Sequence, residues 1–248
     1  MRQVEEERLL RAWEEAAAQH PLDRALTLLG AAWPDRGRAE LARLSVGTRD
    51  GLLLSLRERL FGHELRATVT CTGCGEALDL ALSTADLRAA PALEAPPADA
   101  PEHEIVAGDT TVRFRLVDSS DLAAILGCAD ADVAQRELLR RVVVSARRGG
   151  DRVDELPGEA PALLERRLAE LDPQAEVSLD LTCPSCGRRW QAPFDILLFL
   201  WNDMDRWARA LFGTVDTLAR AYGWREADVL ALSPRRRRVY LNLAAVPS

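Results

Sequence analysis

Thr70-Cys71-Thr72-Gly73-Cys74-Gly75 and Thr182-Cys183-Pro184-Ser185-Cys186-Gly187 are two copies of one short design, Thr-Cys-x-x-Cys-Gly. Residues alternating in polarity precede each copy: Leu65, Ala67 and Val69 before the first, Val177, Leu179 and Leu181 before the second. A period of two marks a half-buried strand. Alternation resumes after Gly75 with Leu78, Leu80 and Leu82, and Leu78 and Trp190 each stand four positions beyond the second cysteine of their copy. The reading is strand, knuckle, strand, made twice in one chain.

Two thiolates separated by two residues span one edge of a metal tetrahedron without strain. The glycine after each pair, Gly75 and Gly187, permits the tight backbone that aims amides at the sulfurs, and Pro184 pre-sets the second turn. Together Cys71, Cys74, Cys183 and Cys186 would complete a four-cysteine shell with no position open to water, which is the pattern of a structural Zn2+ site rather than a catalytic one. About 108 residues lie between Cys74 and Cys183, so a shared ion would close a very long loop. The alternatives are two half-sites completed by partner chains, or a redox dithiol. The redox reading is the weaker, because neither pair opens a helix after a strand, the context that lowers a thiol pKa.

Working outward, residues 1–62 form an N-terminal helical region. Residues 4–19 carry Leu9, Leu10, Trp13, Ala16 and Ala17 at helical spacing, and residues 22–32 make a second helix. A third, over 38–45, is expected to stop at Gly47 as a left-handed C′ residue, with Thr48 as the N-cap of a fourth that ends at Gly62. Residues 63–90 hold the first knuckle hairpin. Residues 91–175 are a Pro/Ala-rich linker followed by an inserted segment. That segment comprises a hairpin turning at Gly108-Asp109, a short helix capped from Asp118 to Asp121, a helix over 131–145, a loop over 147–158 and a helix over 160–171. Residues 176–195 hold the second knuckle, and 196–248 a C-terminal helical region whose first helix, over 194–212, is apolar on nearly every face at its start and is followed by two or three short ones. The fold class is α+β: a small antiparallel, zinc-ribbon-like sheet built from the two knuckle hairpins and flanked by helices at both ends.

Composition narrows the function. An apolar fraction of 48% with 29% charged residues is that of an ordinary soluble protein. All 32 basic residues are arginine, so lysine chemistry, whether a Schiff base or a phosphate-gripping P-loop, is excluded. Net charge is −7, which gives no overall pull toward nucleic acid or anionic lipid. The acidic first seven residues lack the apolar core of a signal peptide, and the longest apolar run, residues 196–201, is far short of the roughly 20 residues a spanning helix needs. A cytoplasmic location is expected, where paired cysteines favour metal over disulfide. Cys128 reads as a small buried hydrophobe and His63 as a surface residue at a strand start. No Gly-x-Ser-x-Gly, His-Glu-x-x-His or phosphate loop is present, and an enzyme is not expected.

Several stretches, taken in order, resemble a family of baseplate-associated proteins from contractile phage tails and contractile injection systems. These are Leu44-Ser45-Val46-Gly47-Thr48-Arg49-Asp50 with Leu53, Leu54, Leu56, Arg57, Phe61 and Gly62; the first knuckle directly after; Phe114-Arg115-Leu116 with Ser119-Ser120-Asp121-Leu122; Asp172-Pro173, the second knuckle and Asp195; and finally Leu218-Ala219, Tyr222, Trp224, Val229-Leu230, Leu232 and the stretch 236–241. The likeness spans roughly residues 40–243. It implies a non-catalytic hub or assembly component that binds other tail proteins. Trp201, Trp207, Phe212, Trp224, Arg235 and Arg236 are the candidate partner-binding residues, since aromatic and arginine anchors often carry interface energy. No membrane insertion and no small-molecule substrate are expected. The competing class is a zinc-ribbon nucleic-acid-binding protein, suggested by Arg188-Arg189-Trp190 and the run Arg235-Arg236-Arg237-Arg238. The pI near 5.2 and the acidic Glu76 and Asp79 on the first knuckle weigh against it.

Overall fold

The computed structural model describes residues 3–89, 91, 95 and 101–245; most of the Pro/Ala-rich linker expected over 91–101 therefore lies outside the described residues. Along the chain run α1 (Gln3–Ala16), α2 (Pro21–Ala32), α3 (Arg38–Ala42), α4 (Val46–Phe61), β1 (Glu64–Thr70), β2 (Ala77–Ser83), β3 (Glu102–Ala107), β4 (Thr110–Arg115), α5 (Ser119–Ile125) and α6 (Ala131–Val142). They are followed by β5 (Val143–Arg148), β6 (Asp151–Arg152), α7 (Ala160–Leu171), a 3-10 turn (Pro173–Ala175), β7 (Val177–Thr182), β8 (Arg189–Phe194), α8 (Ile196–Tyr222), α9 (Glu226–Leu230) and α10 (Pro234–Ala244). The class is α+β with small antiparallel sheets and helices at both ends. The single sheet expected from the two knuckle hairpins is not formed: β1–β2 and β7–β8 are separate two-stranded sheets, and β3-β4-β5-β6 make a third.

Residues 36–196 are one compact unit. In it α4 carries the Leu52, Leu53, Leu54 and Leu56 side chains into the core. The helix begins differently from the expectation. Ser45 is its N-cap, accepting from the Thr48 N–H at 3.1 Å, and Gly47 lies inside the first turn. Gly47 is glycine for lack of room: a Cβ there would stand 2.1 Å from the Asp172 carboxylate and 2.8 Å from the Ala175 backbone nitrogen. That carboxylate accepts from the Gly47 N–H at 2.9 Å and the Ser45 hydroxyl at 3.1 Å, so a residue 125 positions away supplies half of the cap. Gly62 does end α4 with positive φ, as expected.

The four-stranded sheet packs its inner face, Ile105, Val112, Phe114 and Ala146, against Leu139 and Val142 of α6 and Leu164 of α7. Asp118 and Asp121 form the expected capping box of α5. Asp121, fully buried, also takes a bidentate pair from Arg115 and a further bond from Arg141. The helix expected to run to residue 145 instead turns into strand at Val143, and the loop expected from 147 is partly strand. Three consecutive β-branched valines, 142–144, favour the extended chain once the sheet edge offers partners.

Residues 1–35 and 197–248 form the second compact unit. Here α8 runs 27 residues, ten beyond the expected end, and buries one stripe, Leu197, Leu200, Met204, Ala208, Leu211 and Leu218, while Leu198 is exposed. Its first six residues are apolar on every face, as the sequence reads, and Leu198 among them is left exposed. Glu6 of α1 and Arg237 of α10, both buried, form a bidentate ion pair across 231 positions. The four-arginine run occupies the first turns of α10, and one of its members, Arg237, is buried.

Candidate metal centre

Both knuckles fold through the same backbone bonds. In the first, the Cys71 N–H donates to the Glu76 carbonyl at 2.8 Å and the Gly75 N–H to the Cys71 carbonyl at 3.0 Å. In the second, the Cys183 N–H donates to Arg188 at 2.9 Å and the Gly187 N–H to Cys183 at 2.9 Å. Gly75 and Gly187 have φ of 78° and 72°, and a Cβ on either would meet open space. Their requirement is the left-handed backbone itself. The internal repeat seen in the sequence is a repeat in three dimensions.

The knuckles meet tip to tip. Cys71 Sγ lies 3.7 Å from Cys186 Sγ, and Cys74 Sγ 3.7 Å from Cys183 Sγ. All four sulfurs fall within 4.8 Å of one another. The separations are far beyond the ~2.05 Å of a disulfide, and the thiols are free. An ion bound by four thiolates at about 2.3 Å sets a tetrahedral edge of about 3.8 Å, so this set could hold a metal ion with little backbone movement. Cys71 and Cys183 are buried, Cys74 and Cys186 exposed, so the cluster sits at the surface with its inner pair shielded.

Electrostatics favour a cation there. Backbone N–H groups of Cys74 and Gly73 pull the Cys71 thiol down to about 6, which gives one ready thiolate. Cys74 accepts a similar bond from the Glu76 backbone, yet the neighbouring thiols, Cys186 foremost, and burial together push it up to about 12. Four sulfurs this close cannot all ionise without a positive charge among them. Gly73 completes the fit: a Cβ on it would lie 2.6 Å from Arg188 Cδ and 3.5 Å from Cys186 Sγ, so the opposite knuckle closes over its bare backbone. The sequence reading did not single out this glycine, whose role depends on a contact across the two copies.

The remaining chemically interesting residues stand elsewhere. His63 pairs with Glu58 at 2.8 Å, His20 caps α2, and Cys128 is half-buried beyond α5. Among the described residues, the four cysteines are the one cluster of metal-ligand type. The aromatic residues proposed for partner binding are placed within their own unit. Trp201 carries the Arg24 guanidinium 4.0 Å from its ring centroid. Trp207 and Phe212 pack around Leu10, Ala208 and Leu211. Trp224 stacks on Tyr222 at 4.8 Å and meets Tyr240 edge-on at 4.9 Å. Arg235 and Arg236 are exposed.

No helix among the described residues is long and apolar enough to cross a membrane. Neither curated proteins nor solved structures yield a match to the chain. A family model described as T4 bacteriophage base plate protein matches residues 3–201. The match takes in the N-terminal helices that contributed little to the resemblance, both knuckles and the start of α8, and it stops short of the C-terminal stretch. With the greater part of its length so matched, the chain belongs to the T4 bacteriophage base plate protein family.

Proposed function

We propose that this protein is a zinc-stapled, non-catalytic component or assembly factor of the baseplate in a contractile phage-tail-like injection system, working by binding other tail subunits. Family membership supports the baseplate role. The observation that carries the zinc reading is the convergence of four thiols from two distant knuckles within 4.8 Å. In this reading Cys71, Cys74, Cys183 and Cys186 hold one Zn2+, which neutralises the thiolates and fixes the chain between them. Ligation of this kind contributes on the order of 10 kcal/mol in small zinc domains. The closed shell leaves the ion no open position for water or substrate, so its work is mechanical: it locks two hairpins that share no sheet. The C-terminal region, with Trp201, Trp207, Phe212, Trp224, Arg235 and Arg236, is the proposed docking side. Deleting the gene from its tail cluster tests the baseplate role. Negative-stain electron microscopy should then show tubes and sheaths without complete baseplates; complete baseplates in the deletion strain would overturn it.

A further inference from the structure

The aromatic members of the docking side are engaged within their own unit, but the outer face of α10 is not. Arg237, Tyr240, Leu241 and Ala244 turn toward the unit, spaced three and four apart, while Arg235, Arg236, Arg238, Val239 and Leu243 are exposed. Val239 and Leu243 are among the most exposed large apolar side chains of the described chain, at 52% and 59%. The helix that presents them is firmly held. Arg237 is tied to buried Glu6, and Tyr240 is clamped by Tyr222 and Trp224, with the Tyr222 hydroxyl donating to the Tyr240 carbonyl at 3.2 Å. Its outward charges are also placed against the local electrostatics. Ser233 is the N-cap, so Arg235 and Arg236 fall in the first turn, at the positive end of the helix dipole. Neither they nor Arg238 has a carboxylate partner among the described residues. Rigid presentation, paired apolar side chains and uncompensated positive charge on one face describe a surface that awaits negative charge from outside.

We infer that the outer face of α10 is a docking surface for an acidic, amphipathic segment of another tail subunit, with carboxylates meeting Arg235, Arg236 and Arg238 and apolar side chains covering Val239 and Leu243. This rests on the baseplate reading and deepens it by naming the surface and the chemistry of its partner. Such a contact is small, and its charges govern encounter rate and specificity more than affinity.

The test uses the full chain expressed with its tail genes, carrying the photo-crosslinking substitution Leu243→benzoylphenylalanine, irradiated during assembly. The expected result is an adduct with one other tail subunit, mapped by mass spectrometry to a segment rich in Asp and Glu. In a second strain Arg235→Glu and Arg236→Glu are added, and adduct yield should fall about tenfold or more. Glutamate at those positions suits the helix dipole better than arginine, so circular dichroism should show α10 intact and the loss cannot be assigned to unfolding. An adduct to a second copy of this chain, to nucleic acid or to lipid overturns the inference. So does a yield indifferent to the charge reversal, or the lack of any adduct in cells where the gene is needed for baseplates. If gene deletion leaves baseplates complete, the reading beneath it fails first.

Discussion

Gly73 is the glycine of the centre against which the opposite knuckle packs. Its bare Cα lets Arg188 and Cys186 of the other knuckle approach, and a branched side chain would push the two tips apart. Gly73→Val should therefore lower metal affinity by at least tenfold, read by competition with a colorimetric chelator, whereas Thr72→Val beside it should leave the affinity within twofold; equal effects would show that the close approach is immaterial. Asp121 illustrates a different constraint. It is fully buried between Arg115 and Arg141, and although burial opposes its charge, the bonds from Arg115, the Asp118 backbone and Arg141 hold its pKa below the ordinary value. Since the folded pKa is depressed, its stabilisation is complete above the unfolded value near 4 and is lost only as pH falls through the lower folded value. Asp121→Ala should cost about 3 kcal/mol in urea denaturation at pH 7, and progressively less as the pH falls through the depressed folded value. The cysteines and the capping aspartates were legible because their spacing is local. Gly73 was not, because its neighbour stands in the other copy.

At the scale of elements, the start of α4 depends on a residue far along the chain. Asp172 accepts from Gly47 and Ser45, and Gly47 leaves the space it needs. Gly47→Ala should destabilise the protein by about 1–3 kcal/mol, although alanine is the better helix former, because the methyl group meets the carboxylate and the Ala175 backbone. Stabilisation, measured by thermal melting, would mean that the approach is looser than described. The sequence placed a glycine at a boundary and read it as a helix terminator, since local pattern alone cannot tell a residue chosen for φ from one chosen for space. The failure at 143–145 has a similar origin. Apolar residues at Leu138, Leu139, Val142 and Val143 fit a helix as far as they go, and only the pairing of β5 with β4 decides that the chain leaves it at Val143. Strands whose pattern was continuous, β1, β2 and β7, were read closely, and so was the β3–β4 hairpin with its turn at Gly108.

Across the whole molecule, one ion pair and one sulfur cluster join parts that the sequence separates by more than a hundred residues. Nothing local couples Glu6 to Arg237, so the union of both chain ends in one unit was not legible. Arg237→Ala should cost about 3–5 kcal/mol, because it leaves the Glu6 carboxylate buried without its counter-charge, while Arg238→Ala should fall within about 0.5 kcal/mol. The sulfur cluster carries the larger claim. Chelating the metal from the native protein should lower its thermal midpoint by about 10 °C or more, given the roughly 10 kcal/mol such a ligation supplies in small zinc domains.

Zinc content decides between one shared ion and every other use of these cysteines. The full chain, purified under reducing conditions and sized as a monomer, should contain about one zinc per chain by inductively coupled plasma mass spectrometry. Either double variant, Cys71→Ser with Cys74→Ser or Cys183→Ser with Cys186→Ser, should lose all of it. A metal-free monomer, or a double variant that keeps its zinc, would contradict a single ion joining the two knuckles.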